Sequence, residues 1–369
     1  MDDYEEEQLE ATLRTVEAHM DKDAQVTKSA KLPLVRALIQ ALLDGEALLF
    51  HDQFHDGSIA PHGDGAEVLR LRSRQFRTWL HYYSHTVLGQ PLNPTVALEV
   101  IYTLEGHARH EGPRYPLAVR VASHDGALWY DLGRQAVRVT AEGWEVIEHP
   151  PILFRRFNHQ QAQVEPQRGG TLTLLEPLLP ASMTEAQKLL FTVSLVTGLI
   201  PDIPQPVDVM YGDHGSAKST LTKVKKALLD PSVLDECTPP TTVHEFIQLL
   251  AHHWYVPLGN LTSLPGWMSD CISRASTGSG FAKRELYTDD DDVIYRLVRI
   301  VGLNGINLVA DKPDLLDRAL LFGDLARIPD TERREDAALW QQFAQIKPAL
   351  LGAMFDALAG AMQHIGAWP

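Results

Sequence analysis

The chain has 369 residues, 44% of them hydrophobic and 22% charged, a composition typical of a globular protein with room for two or three domains. Two cysteines are too few for a disulfide framework. The N-terminus is acidic and the chain has no run of eighteen apolar residues, so we expect a cytoplasmic protein with no membrane span. The net charge of −15 argues against a protein that coats nucleic acid through bulk positive charge.

Residues 1–44 are predicted to form an acidic helical segment. Nine acidic and two basic residues lie between Met1 and Asp23, and they account for nearly half of the net charge. Apolar residues recur there at helical spacing, and "LVRALIQALLDG" is a second apolar run that ends at Gly45. Because the negative charge is concentrated at this end, the rest of the chain can still carry a local basic track for DNA.

Residues 45–165 are predicted to form a small mixed α+β domain of a linker or winged-helix-like kind. Helical spacing in "NPTVALEVIYTLEGHAR" follows an Asn-Pro start. Between about 115 and 157 the hydrophobic pattern changes to period two, and Asp125-Gly126 is a hairpin signal between two short strands.

Residues 166–325 alternate strand and helix patterns, which predicts an α/β domain with a parallel sheet. Residues 326–369 are predicted to form a helical tail. Its helical spacing is set by Leu350, Met354, Leu358 and Met362.

The stretch "VDVMYGDHGSAKSTL" departs at one position from the phosphate-loop pattern G-x-x-x-x-G-K-[ST], because Ala217 takes the place of the second glycine. A strand precedes the loop and a helix follows it, so backbone N–H groups and the helix dipole can hold the phosphates of ATP. The predicted phosphate-binding residues are Gly212, Asp213, His214, Gly215, Ser216, Ala217, Lys218, Ser219 and Thr220.

Two side chains of this loop are assigned chemical roles. Lys218 supplies a positive charge to the phosphates, and the hydroxyl of Ser219 binds Mg²⁺. Ala217 is expected to adopt a helical φ, which alanine tolerates. The alternative interpretation is a glycine-rich strand–helix turn with an incidental lysine.

A P-loop ATPase also needs an acidic residue at the end of a neighbouring strand. The expected strand, Trp254–Leu258, ends at Gly259-Asn260 and offers no carboxylate. Other acids lie nearby in the sequence, namely Asp235, Glu236 and Asp270. None of the three lies where this chemistry usually places the group.

Two further polar residues fit an ATPase of the AAA+ class. Asn304 ends another apolar strand, where a polar side chain orients the attacking water, and Arg318 follows at a spacing suited to an arginine finger that reaches a neighbouring subunit. The alternatives are a turn cap for Asn304 and an i,i+4 ion pair with Asp314 for Arg318.

In combination, "YGDHGSAKSTL", "GLNGINLVADKPDLLDRAL" and "PALLGAMFDAL" resemble the ATPase portion of bacterial phage- and mobile-element-encoded primase-helicases, which are superfamily 3-like proteins of the AAA+ class. The resemblance covers about residues 45–365 and is strongest over 205–325. The family's own loop carries alanine at the position of Ala217. The resemblance implies a ring, with a hexamer as the expected form, with ATP and Mg²⁺ between subunits and single-stranded or forked DNA as the partner.

The resemblance also assigns individual residues. "TGSGFAKRELYTDDDD" is similar to a hairpin that projects into the helicase channel, so Lys283 and Arg284 would contact DNA or the adjoining subunit's nucleotide. Relatives carry Asp-Asn at Gly259-Asn260, and the loss of that aspartate would loosen Mg²⁺ and slow hydrolysis. A Gly259→Asp substitution is accordingly expected to raise the ATPase rate. The candidate catalytic residues are Lys218, Asn260, Asn304 and Arg318.

These features predict an ATP-driven ring helicase or DNA translocase for replication of a mobile genetic element. No primase region is visible, so a separate primase or replication protein is an expected partner. The alternative is a nucleotide-binding scaffold or regulator with little turnover, which Gly259 favours. A small-molecule phosphotransferase is disfavoured, because Asn304 and Arg318 fit a ring ATPase better.

Overall fold

The chain divides into two compact units in a computed structural model, Met1–Pro116 and Leu117–Pro369. The structure describes residues 34–61, 67–87, 89–284, 292–308, 310, 312–331 and 333–364, without the side chains of residues 45, 46, 282–284 and 292–295. Most of the predicted acidic segment 1–44 therefore lies outside the described residues. Within those residues, no helix is both long and apolar enough to cross a membrane.

The first unit combines a small antiparallel sheet with helices. Its three strands pair in the order in which they follow each other along the chain. Its described elements are α1 (34–41), a π-helical turn Leu42–Glu46, β1 (Ala47–His51), β2 (Gly57–Pro61), β3 (Leu69–Arg70), α2 (Arg74–Val87) and α3 (Pro94–His110). The predicted Asn-Pro helix start is confirmed, because Pro94 opens α3 and the side chain of Asn93 accepts a hydrogen bond from the Val96 amide.

The second unit begins with an antiparallel four-stranded meander. Its strands are β4 (Val121–His124), β5 (Ala127–Asp131), β6 (Ala136–Thr140) and β7 (Gly143–Ile147), paired in that order. The predicted Asp125-Gly126 hairpin is confirmed. Both residues have positive φ angles, 49° and 72°, as a tight two-residue turn requires.

A parallel sheet forms the centre of the second unit, with the strand order β13 (Ala319–Leu325), β8 (Val207–Gly212), β12 (Ile300–Gly305) and β9 (Tyr255–Leu261). The α/β class with a helical C-terminal region is thereby confirmed. The remaining elements are α4 (Glu185–Thr197), α5 (Lys218–Leu229), α6 (Val243–His252), α7 (Gly266–Thr277), β10 (Phe281–Arg284), β11 (Asp292–Tyr295), α8 (Pro313–Leu316) and α9 (Asp336–Gln363). A short 3₁₀ helix, Leu172–Leu178, precedes α4.

The meander and the parallel sheet share one hydrophobic core. The rings of Tyr130 and Trp144 pack on Phe355 of α9, with centroids 5.6 and 5.9 Å apart. The structure divides the chain at 116/117, whereas the sequence predicts boundaries at 165/166 and 325/326. The meander, the parallel sheet and α9 all contribute side chains to one core, so no separate core marks either predicted boundary.

A buried charge network fixes the beginning of β9 to the end of α5. The carboxylate of Asp230 accepts hydrogen bonds from Lys226 Nζ at 2.7 Å and from the backbone N of Trp254 at 2.9 Å. Arg120, next to β4, lies 3.3 Å from the same carboxylate. Burial alone would raise the pKa of Asp230, but the charges of Lys226 and Arg120 more than offset this and hold the pKa well below its usual value.

Candidate functional site

The predicted phosphate loop connects β8 to α5 at the carboxyl edge of the parallel sheet. β8 ends at Gly212 (φ 144°), and α5 begins at Lys218. Ala217 has φ 65° and ψ 20°, which is the left-handed region. The expected helical φ for Ala217 is therefore wrong, and alanine holds there a conformation that glycine adopts more easily.

The side chain of Lys218 lies over the loop. Its Nζ donates to the carbonyl oxygens of Gly212 at 2.9 Å and Asp213 at 2.6 Å, and it lies 3.2 Å from Ser216 Oγ. Burial lowers the pKa of Lys218, and the neighbouring Asp213 partly offsets the effect. The amine is thus held against the loop by the loop's own carbonyl oxygens.

Ser219 is exposed on the first turn of α5 and contacts Asn304 at the end of β12. Asn304 Nδ2 donates to Ser219 Oγ at 3.0 Å, although the two residues are 85 positions apart. Asn304 itself is only 4% exposed. Two of the predicted site residues are therefore brought into direct contact by the parallel pairing of β8 and β12.

A carboxylate that the sequence analysis did not place lies beside them. Glu236 Oε1 is 3.5 Å from Asn304 Nδ2. The same carboxyl group occupies the space next to Gly259, where an added Cβ would lie 2.5 Å from Glu236 Oε2. The sequence shows Glu236 in a loop before β9, but its position beside Gly259 depends on tertiary packing that no local pattern reveals.

The strand that carries Gly259 is longer than predicted. β9 continues from Tyr255 to Leu261, and its register with β12 shifts between Leu303 and Gly305. Asn260 lies within this irregular part, is exposed, and has a positive φ of 56°. The structure thus places Asn260 at the same sheet edge as Asn304, with a backbone conformation that asparagine adopts more readily than most residues.

Arg318 lies at the other edge of the sheet. Its backbone oxygen accepts a hydrogen bond from the amide of Val207, the first residue of β8, whereas the phosphate loop follows Gly212, the last residue of that strand. At 3.3 Å per residue, the length of β8 separates Arg318 from the loop by roughly 16 Å. The side chain makes the i,i+4 ion pair with Asp314, at 2.8 Å. Arg318 therefore does not contact the loop of its own chain.

Lys283 and Arg284 lie on β10, which pairs with β11 as an antiparallel hairpin. Their side chains are outside the described part of the chain, so the structure gives only their backbone position.

Two arginines that sequence reasoning missed lie near the loop. The segment after β13 reaches Gly215, whose oxygen accepts from the Ile328 amide at 3.1 Å. A Cβ on Gly215 would lie 3.2 Å from Arg333 Nη2 and 3.9 Å from Arg327 Cγ. The sequence signal that could have found them is a cluster of arginines after a strand of the parallel sheet. The carboxyl ends of such strands lie at one edge of the sheet, which is also the edge that carries the loop.

Comparisons with solved structures concern the fold. An apo structure of the NrS-1 C-terminal region matches with a TM-score of 0.50 and 11% identity, covering 88% of this chain and 68% of that chain. Another apo structure of that region gives a TM-score of 0.47 at 10% identity, with 89% and 74% coverage. An X-ray structure of JCV helicase gives 0.25 at 15% identity, covering 51% of each chain. At such identities the likeness to the first structure is one of fold alone.

Sequence comparisons identify the family. A search of curated proteins gave no match. The family model for the actinomycete integrative conjugative element replication protein matches residues 174–364, which is just over half of the chain and includes the whole of the candidate site. The predicted resemblance is confirmed at the level of a mobile-element replication protein. This chain belongs to the family of replication proteins of actinomycete integrative conjugative elements.

Proposed function

We propose that the chain binds ATP together with Mg²⁺ at the loop between β8 and α5. The observation that carries this proposal is the arrangement of Lys218, Ser219 and Asn304, in which an amine, a hydroxyl and a buried amide meet at a helix N-terminus. Backbone N–H groups of residues 215–219 are the donors for phosphate oxygens. The lysine would supply the fixed positive charge.

The residues at this edge also fit a magnesium ion. Ser219 offers an exposed hydroxyl, and the Asn304 side chain contacts both this hydroxyl and the Glu236 carboxylate. A hydroxyl and a carboxylate are oxygen ligands of the kind that Mg²⁺ prefers. When bound, Mg²⁺ would neutralise negative charge on the phosphates.

We further propose that nucleotide hydrolysis drives a ring of these chains along single-stranded or forked DNA during replication of the element. Membership of a replication-protein family supports the setting. The position of Arg318 supports a ring, because an arginine that cannot contact its own loop is suited to the loop of a neighbouring subunit. A separate primase or replication protein would complete the system.

The proposal is tested by binding of a fluorescent ATP analogue and by steady-state ATP hydrolysis with and without single-stranded DNA. Lys218→Ala should abolish both nucleotide binding and hydrolysis. Lys188→Ala, which removes an equal charge from α4, should change neither. Retained binding by Lys218→Ala would contradict the assignment of the loop.

The same measurements separate a motor from a scaffold. DNA-stimulated hydrolysis that depends on Lys218 is the result expected of a translocase. Tight nucleotide binding without turnover would instead favour a nucleotide-gated scaffold. A measured mass equal to that of one chain, both with and without ATP, would exclude the ring.

A further inference from the structure

The space beside Gly259 is filled by another residue's carboxyl group. A Cβ built on Gly259 would lie 2.5 Å from Glu236 Oε2, 2.8 Å from its Cδ and 3.3 Å from its Oε1. Real Cβ atoms essentially never come within 3.0 Å of another heavy atom. The glycine has no positive φ that would require it, so the requirement is one of space.

The chain path that delivers Glu236 is fixed by backbone pairing. β9 is the last strand of the sheet, and its free edge pairs with Cys237 in a parallel bridge to Leu258. The Cys237 amide donates to the Pro257 oxygen at 2.7 Å. Because Cys237 is buried, the residue before it is held against the carboxyl end of β9.

The carboxylate points into the candidate site. Its Oε1 lies 3.5 Å from Asn304 Nδ2, and the same amide nitrogen donates to Ser219 Oγ at 3.0 Å. Asn304 therefore connects Glu236 to the hydroxyl assigned to Mg²⁺. Asn304 is only 4% exposed, and its amide nitrogen has two oxygen acceptors, as a buried polar group requires.

The other two acids that could have compensated are engaged elsewhere. Asp235 lies 3.4 Å from Lys223. Asp270 on α7 lies 2.6 Å from Lys312. Of the three acids that sequence reasoning could not choose between, Glu236 is the one that the structure brings to Asn304.

We propose that Glu236 supplies the acidic group of the nucleotide site, and that Gly259 is retained as the space which this side chain requires. The inference rests on the proposed nucleotide and Mg²⁺ binding and deepens it. It reverses the sequence-based expectation for Gly259→Asp, because an aspartate at 259 would meet the Glu236 carboxylate at close range. Two carboxylates in that space repel each other and cannot both keep their positions.

The test uses the 369-residue chain and measures the affinity of a fluorescent ADP analogue in Mg²⁺ and in EDTA. The ratio of the two affinities reports the contribution of the metal without requiring turnover. Glu236→Gln should leave the nucleotide affinity in EDTA unchanged. It should reduce the gain in nucleotide affinity that Mg²⁺ provides, called here the Mg²⁺-dependent gain, by about 10-fold or more. Asp235→Asn, which removes the adjacent acid, should leave the gain intact.

Substitutions at Gly259 test the spatial part of the proposal. Gly259→Ala adds only a methyl group and should also reduce the Mg²⁺-dependent gain, because Glu236 must move. Gly259→Asp should do the same, whereas Gly259→Asp combined with Glu236→Ala should recover it. Thermal unfolding of each variant checks that the fold is retained.

The outcomes distinguish the two proposals. A full Mg²⁺-dependent gain in Glu236→Gln, or a Gly259→Asp variant that exceeds the wild-type gain, would overturn the role of Glu236. Absence of nucleotide binding by the wild-type protein in both Mg²⁺ and EDTA would instead overturn the proposed function itself.

Discussion

Asn304 donates a hydrogen bond to the hydroxyl of Ser219 across 3.0 Å, which joins the end of β12 to the first turn of α5. The two residues should act as a unit in hydrolysis. Asn304→Ala is expected to lower the turnover number by about 100-fold while nucleotide affinity changes little, since a positioned polar group is lost. Thr197→Ala, which removes a hydroxyl from α4, should leave turnover unchanged.

A double-mutant cycle tests the coupling between these two side chains. Ser219→Ala alone should reduce turnover, and the double variant should be little worse than the more damaging single variant, because residues that act together are not additive. Steady-state hydrolysis of the four proteins gives the result. Independent, multiplicative losses would show that the contact has no role in catalysis.

The left-handed conformation of Ala217 predicts a stabilising substitution. Ala217→Gly should raise the free energy of unfolding by about 1 kcal/mol, because glycine adopts φ 65° without the steric strain of a Cβ. Urea unfolding measures the change. Ala344→Gly is the matched control in the middle of α9, where the same substitution should destabilise by about 1 kcal/mol.

A subunit-mixing experiment tests whether Arg318 acts on a neighbouring subunit. Arg318→Ala should bind nucleotide normally but hydrolyse it at least about 1,000-fold more slowly. Mixed in equal amounts with Lys218→Ala, it should regain activity at about one interface in four, because each site in a ring is built from two different subunits. Steady-state hydrolysis of the mixture measures this recovery.

The ion pair of Arg318 with Asp314 supplies the control for that experiment. Asp314→Ala removes the pair but leaves the arginine, so it should hydrolyse ATP at the wild-type rate. An inactive Asp314→Ala variant, or a mixture without any recovery, would assign Arg318 a structural role within its own subunit.

Lys347 on α9 predicts a pH dependence of stability. Burial, with a smaller contribution from the charge of Arg120, lowers its pKa to about 8. Because the unfolded chain holds the proton up to about pH 10.4, the free energy of unfolding should rise with pH between those two values. Below pH 8 the fold buries the charged form, so Lys347 is unfavourable there.

Replacement by an apolar residue of similar length should remove that effect. Lys347→Met is expected to stabilise the protein by about 2 kcal/mol at pH 7 and to flatten the rise above pH 8. Lys188→Met, at a lysine of α4 that pairs with Glu185, should change neither. Chemical unfolding at pH 7 and pH 9.5 measures both quantities, and a Lys347→Met variant that is less stable at pH 7 would contradict the prediction.

The local elements could be predicted from sequence because their signals are local. The Asp125-Gly126 hairpin, the Asn93-Pro94 helix start and the order of strand, loop and helix around Lys218 each depend on a few neighbouring residues. Periodicity of apolar residues likewise found the C-terminal helix.

The relationships that could not be predicted are those between distant segments. Glu236 meets Gly259 only because Cys237 pairs with the free edge of β9, and neither residue carries a local signal for that pairing. The φ of Ala217 could not be inferred either, because alanine normally favours negative φ and the loop overrides its preference. Hydrophobic periodicity also does not reveal which core a strand joins, so the core shared by the meander and the parallel sheet could not be inferred from sequence.

The shared core has a consequence for excised fragments. A fragment that begins at residue 174, where the family match begins, would lack Tyr130 and Trp144 and would leave the ring of Phe355 without its aromatic neighbours. It would also lose Arg120 and so leave Asp230 with one fewer cationic partner in the interior. We therefore expect the smallest fragment that contains the candidate phosphate loop and folds by itself to begin near Leu117, with the meander as part of the same unit.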